Sequence, residues 1–260
     1  MTVTNVGEMM RDWRTRRRRS QMNLALEVGV STRHLSFVET GRSRPSPELV
    51  TSVADHLDVP LRERNALLLA AGYAPQYSER SLDDPTMRLV LASIERMLAA
   101  HDPYPGVLID RQWNVVRANR AAGALAAGLP PEVLGPPLNV YRLCLHPRGL
   151  AARTRNFDDW AAYLLRQLDR SIARTGDADL EGIRDEVRGY PGLAALAARA
   201  GADDDIAILV PLRIEQAGIE LSLFTTLTTF GTPRDITLDE VAIELFFPAD
   251  DATDRVLRSA

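Results

Sequence analysis

The sequence predicts a multi-domain chain: an all-α domain of five helices, followed by an α+β domain built on an antiparallel sheet. Three observations predict this. Residues 7–72 place apolar side chains at three- and four-residue spacing, punctuated by helix caps and stops. The last third of the chain switches to an alternation of period two. A length of 260 residues exceeds what a five-helix bundle needs, and 45% hydrophobic residues suffice for a core in each part.

The first helix spans Gly7 to Arg19, Arg-rich, with Met9, Met10 and Trp13 apolar. Its run Arg16–Arg19 reads as a solvated helix end favoured by the helix dipole, as a neighbour of phosphate, or as both. From Gln21 to Glu39 the chain reads as a helix, a tight turn and a second helix. Ala25 is small enough for two helices to cross, and Gly29 lets the chain leave the first one at positive φ. Val30, Leu35 and Val38 anchor the second helix, and Ser31 is its N-cap. Gly41 stops that helix. A basic loop leads to a fourth helix with Ser46 as N-cap, Pro47 at its first position, and Val50, Val53, Ala54 and Leu57 as its apolar face. Leu61 to Ala71 is the fifth helix.

This is helix-turn-helix grammar, in which the second motif helix can enter a DNA major groove. Residues 7–72 resemble the Cro/repressor-type (Cro/C1-type, or xenobiotic-response-element) family. The resemblance implies operator binding. Leu35 and Val38 point inward, so Thr32, Arg33, Ser36 and Phe37 face outward at the front of the reading helix. Arg33 suits a bidentate contact to guanine and Phe37 a thymine methyl. Gln21 at one end, and Thr40, Arg42 and Arg44 after the reading helix, suit the phosphate backbone. One module reads too few base pairs for a genome, so a homodimer is expected.

Charge supports the division. Residues 1–78 hold 11 Arg and 8 acidic residues, a net of +3, whereas residues 79–260 hold 20 Arg and 27 acidic residues, a net of −7. All 31 cationic residues are Arg. No segment approaches the length of a membrane helix, no leader pattern is present, and Cys144 is the single cysteine, so the reading is a soluble cytoplasmic protein without a disulfide and with no membrane partner. Domain boundaries are placed at 1–78 for the DNA-binding domain, 79–102 for a connector helix and 103–260 for a ligand-binding domain. Gly72–Asp84 is the linker, and Thr86–Ala100 is a helix with Met87, Val90, Leu91, Ile94 and Leu98 on one face, which can pack on the following domain or connect the two domains.

In the third segment, Val107–Asp110 and Trp113–Val116 read as short strands around an Asp-Arg-Gln turn, and Asn119 caps a helix through Leu125. Helices follow around Leu138–Leu145, Phe157–Ile172 and Gly192–Ala200. Three strands are set by the alternations Ile206–Ile214, Ile219–Leu227 and Val241–Phe247, the first two joined by a turn at Gln216-Ala-Gly218. Two strands, a helical insert and three strands is the order of a PAS-type sensor domain. Residues 103–258 resemble the ligand-binding domain of MmyB-like transcription regulators through Trp113–Ala121, Leu145–Leu150, Thr228–Pro233 and Glu244–Pro248. That resemblance implies a PAS-like pocket for a lipophilic effector such as a bound fatty acid, and no cofactor is expected.

The strands present Ile208, Val210, Leu212, Leu221, Leu223, Val241, Ile243 and Leu245 on apolar faces, with Thr225 beside them, and the helix bearing Phe157, Trp160, Leu164 and Leu168 is the natural cover. Arg142, Arg153 or Asn156 can hold a polar head. Read without the resemblance, these apolar faces fit a packed core equally well. Catalysis has little support. His34, His56, His101 and His146 lack metal-ligand spacing, Cys144 reads as core and His146 as a turn residue, although haem ligation by either stays open. Gly231-Thr232-Pro233 reads as a bend between strands. An enzyme, or a protein-recruiting domain, tethered to a helix-turn-helix module is the competing expectation.

Overall fold

The computed structural model describes residues 5–199 and 209–259. The chain divides into two units. One takes in the chain up to Arg80 together with Ala173–Thr175 and Thr232–Asp239; the other holds Ser81–Ile172, Gly176–Gly231 and the chain from Glu240 onward.

The first unit contains α1 (Val6–Arg16), α2 (Gln21–Glu27), α3 (Thr32–Glu39), α4 (Pro47–His56) and α5 (Leu61–Ala70). Local chemistry sets their limits. Ser20, Ser31 and Ser46 each accept a hydrogen bond from the backbone N–H three residues on, capping α2, α3 and α4. Gly29 at φ 73° and Gly41 at φ 72° turn the chain out of α2 and α3. Met10, Trp13, Leu24, Ala25, Leu35, Val38, Val50, Val53, Leu57 and Leu67 form one core. Gly7 permits the closest approach, since a Cβ there would stand 2.1 Å from the Val38 carbonyl oxygen of α3.

The second unit is α+β. Its elements are α6 (Arg88–His101), β1 (Gly106–Ile109), β2 (Val115–Ala118), α7 (Arg120–Ala126), α8 (Pro131–Leu134), α9 (Val140–Leu145), α10 (Phe157–Thr175), α11 (Ala178–Arg188), α12 (Leu193–Arg199), β3 (Leu212–Gln216), β4 (Ile219–Thr228), α13 (Ile236–Glu240), β5 (Ala242–Pro248) and α14 (Asp251–Ser259), with the last turn of α10 and most of α13 assigned to the first unit. The sheet is antiparallel with the order β2-β1-β5-β4-β3. β5 is therefore central and covered on both faces. On one face Leu108, Val241 and Ile243 pack with Ile94 and Leu98 of α6. On the other, Val107, Ile109, Leu212, Ile214, Leu221 and Leu223 pack with Trp160, Leu164, Leu165 and Leu168 of α10.

Several expectations are corrected. The helix expected from Thr86 opens as a 3-10 turn over Pro85–Met87, and α6 starts at Arg88. α6 packs on the sheet, one of the two roles its apolar face allowed. Trp113 sits outside β2 at φ 65°, in the turn. The first C-terminal strand begins at Leu212, which leaves Val210 ahead of it; Ile206 and Ile208 lie outside the described residues. Four helices, α8, α11, α13 and α14, are additions to the sequence reading. Among the described residues no helix is long and apolar enough to cross a membrane.

Candidate functional site

The outer surface of α3 is built from behind. Glu39, 4% exposed, receives Arg14 Nε at 2.7 Å and Arg14 Nη2 at 2.9 Å in a bidentate pair. Gln21 Nε2 donates to the same carboxylate at 2.9 Å. Arg14 also donates to the Arg19 carbonyl at 2.9 Å. One buried carboxylate thus fastens α1 and α2 to the end of α3, and its hydrogen bonds hold the Arg14 guanidinium above its ordinary value. Gln21, expected at phosphate, gives an amide N–H to this network.

In front, Thr32 and Arg33 are exposed, and Ser36 and Phe37 are half-buried beside them. The Arg33 guanidinium lies 5.3 Å from the Phe37 ring centroid and that of Arg42 5.9 Å. The ring expected at a thymine methyl thus also steers two cations. Thr40 is exposed, its hydroxyl donating to the Ser36 carbonyl at 2.7 Å. Arg42 is exposed. Arg44 differs: its Nε donates to the Ala71 carbonyl at 2.9 Å and its guanidinium stacks 4.9 Å from the Tyr73 ring, so it clamps the end of α5. Replacing Arg33 with Ala is expected to weaken the specific complex by about 1–3 kcal/mol and relax preference at one base pair, whereas Arg42→Ala should lower the salt slope by about one unit across all sequences. Binding selections and salt titrations of the two variants read this, and equal losses on all sequences for Arg33→Ala would assign it to phosphate.

In the second unit the sequence-predicted ligand residues separate. Trp160, Leu164, Leu168, Leu212, Leu221 and Leu223 come together on the inner face of the sheet, all at most 3% exposed. Phe157, Val210 and Thr225 are half-buried, Phe157 and Val210 packing against that core. Ile243 and Leu245 do not join them. The register pairs Leu108 with Ile243 and Gly106 with Leu245, on the face turned to α6. β5 instead sends Ala242, Glu244 and Phe246 inward. Glu244 is 5% exposed, and burial pushes its carboxyl up to about 7.

The candidates for a polar head are engaged elsewhere. Arg142 forms a bidentate pair with Glu186 at 2.7–3.0 Å. Arg153 donates to Gln216 Oε1 at 2.7 Å and to the Leu125 carbonyl at 2.5 Å. Asn156 donates to the Pro211 carbonyl at 2.8 Å and accepts from Arg213 N at 3.0 Å. A separate groove of about 410 Å³ is lined by Leu125, Ile219, Leu221, Val256 and Leu257, with Arg120 among its lining residues.

Cys144 is buried and its thiol is pushed up to about 12 by burial, which keeps it protonated. His146 Nδ1 accepts from Arg148 N at 3.1 Å, a local turn bond. Among the described residues no group of three His, Cys, Asp or Glu gathers at metal-binding distance.

Residues 90–260 match the family described as the MmyB-like transcription regulator ligand binding domain. The chain belongs to this family. Residues 6–67 match the helix-turn-helix domain family. The MmyB-like chain is therefore a transcription regulator that joins a DNA-binding domain to a ligand-binding domain, and neither family is enzymatic. No curated protein matches the chain.

Proposed function

We propose that this regulator binds operator DNA as a homodimer through α3 and is controlled by a lipophilic small molecule such as a fatty acid, held against the inner face of a PAS-like sheet in a cytoplasmic protein. The strand order β2-β1-β5-β4-β3, with the helices inserted between β2 and β3, supports the PAS-like reading. The observation that carries the ligand reading is the inner face itself. It is apolar over Leu212, Leu221 and Leu223, yet its border of Phe157, Tyr163, Val210, Thr225 and Phe246 is only half-buried. Phe157, Trp160, Leu164 and Leu168 cover the hydrocarbon in this reading, while Arg153 and Asn156 shape the edge through the backbone they hold. Thr32, Arg33, Ser36, Phe37, Thr40 and Arg42 face DNA, with Gln21 supporting α3 through Glu39 and Arg44 supporting the loop. Two copies on half-sites about one helical turn apart supply the specificity that one α3 lacks.

A second reading places the ligand in the 410 Å³ groove, because Arg120 there offers a charge to an anionic head. Solvent extraction and mass spectrometry of the purified protein test both. A co-purified lipid lost in Leu223→Trp assigns the inner face, and one lost in Ala124→Trp assigns the groove. No lipid in the unmodified protein contradicts the proposal.

A further inference from the structure

Inside the core of the second unit lies a set of polar groups that the fold itself does not satisfy. The Tyr141 hydroxyl, Trp160 Nε1, Gln167 Oε1 and one carboxyl oxygen of Glu244 are sealed from solvent without a hydrogen-bond partner among the described residues. Tyr141 is 0% exposed, Trp160 3% and Glu244 5%. They belong to one neighbourhood. Glu244 acts electrostatically on Tyr141, Cys144 and Tyr163. Trp160 stacks on Tyr163 with centroids 5.2 Å apart, and Gln167 Nε2 reaches the Tyr163 hydroxyl at 3.4 Å. Ser171 stands beside Tyr141, and Cys144 beside Trp160.

Such groups are rare in a folded core, and each is destabilising unless something fills it. Their placement in three elements, α9, α10 and β5, around one point of the inner face argues against an accident of one side chain. The set mixes kinds. Tyr141 and Trp160 donate, Gln167 accepts, and the Glu244 carboxyl does either according to its proton. A partner that both donates and accepts matches it. A carboxylate anion does not: it brings a charge into an apolar interior where burial and the Thr225 hydroxyl act on Glu244 and no cation among the described residues does. Arg170 acts on Tyr163 rather than on the carboxyl. Burying an unpaired charge is far more unfavourable than burying a hydrogen-bonded neutral group.

We infer that Tyr141, Trp160, Gln167 and Glu244 form the polar subsite of the sensor and select a lipophilic ligand with a neutral hydrogen-bonding head, an alcohol, an amide or an acid in its protonated form, against the carboxylate anion. This rests on the reading of the inner face as the ligand site.

The test is calorimetric titration of the full-length protein, stripped of bound lipid, with 1-decanol, decanamide and decanoate at pH 8, where the acid is ionised. The alcohol and amide are expected to bind at least about tenfold tighter than decanoate. Tyr141→Phe, which removes one hydroxyl and keeps the ring, should weaken 1-decanol about five- to tenfold. Decanoate binding as tightly as 1-decanol overturns the inference while leaving a lipid sensor in place, and this comparison needs no variant. An unchanged 1-decanol affinity in folded Tyr141→Phe overturns it too. If none of the three probes binds, the lipophilic-ligand reading fails, and the inference falls with it.

Discussion

Replacing Arg14 with Ala is expected to destabilise the first unit by about 3–5 kcal/mol and to abolish operator binding at growth temperature. The residue never faces DNA. Its effect comes from Glu39, whose side chain is 2% exposed and which would be left with Gln21 Nε2 as the remaining partner in this network. A buried carboxylate stripped of its bidentate cation is among the few single changes with so large an effect. Amide exchange of α1–α3 in the full-length protein reads the loss locally, and exchange rates unchanged from the parent would contradict it. Changing both partners, Arg14→Met with Glu39→Leu, should recover much of the stability, because the penalty lies in the unpaired charge and not in the missing bridge.

The second large effect is a pH dependence carried by Glu244. Its carboxyl titrates near 7 in the folded protein against an ordinary value of 4.5. Between those values the folded state holds a proton that the unfolded state has released, so stability falls as pH rises through this window. The difference corresponds to roughly 3 kcal/mol, fully present below pH 4.5 and lost above about 7. Glu244→Gln cannot titrate. Denaturant unfolding of the parent and the variant should therefore agree in slope above pH 8 and below pH 4, and the gap between their stabilities should change by about 3 kcal/mol across the window. A gap that stays constant would show that Glu244 reaches water.

Much of this was legible in the amino acids, for local reasons. The motif over Gln21–Glu39 is read from caps and glycines, and Ser31, Gly29 and Gly41 act where the spacing puts them because each rule involves residues within one turn. Asn119 and Ser46 cap their helices for the same reason. What stayed hidden is long-range. Arg14 and Glu39 are 25 positions apart, and nothing near either marks it as buried. Arg44 looks like any loop arginine until Tyr73 and the Ala71 carbonyl come beside it. The phase of β5 is the instructive failure. Alternation names which residues share a face but not which neighbour that face meets, and in a central strand both faces are covered. Grouping Ile243 and Leu245 with Leu221 and Leu223 chose the wrong parity and passed over Glu244, which a polar residue inside an apolar strand could have flagged. Helices α11 and α14 escaped because charged residues interrupt their apolar stripe, Leu180, Ile183 and Val187 in one and Leu257 in the other.

Ligand occupancy of the second unit is expected to set the DNA affinity of the first. The direct measurement is the operator Kd of the stripped full-length protein, taken with and without the lipid extracted from the native preparation. A change of at least about fivefold is expected, with operator DNA altering lipid affinity by the same factor. An operator Kd that stays the same while the lipid is bound would contradict it.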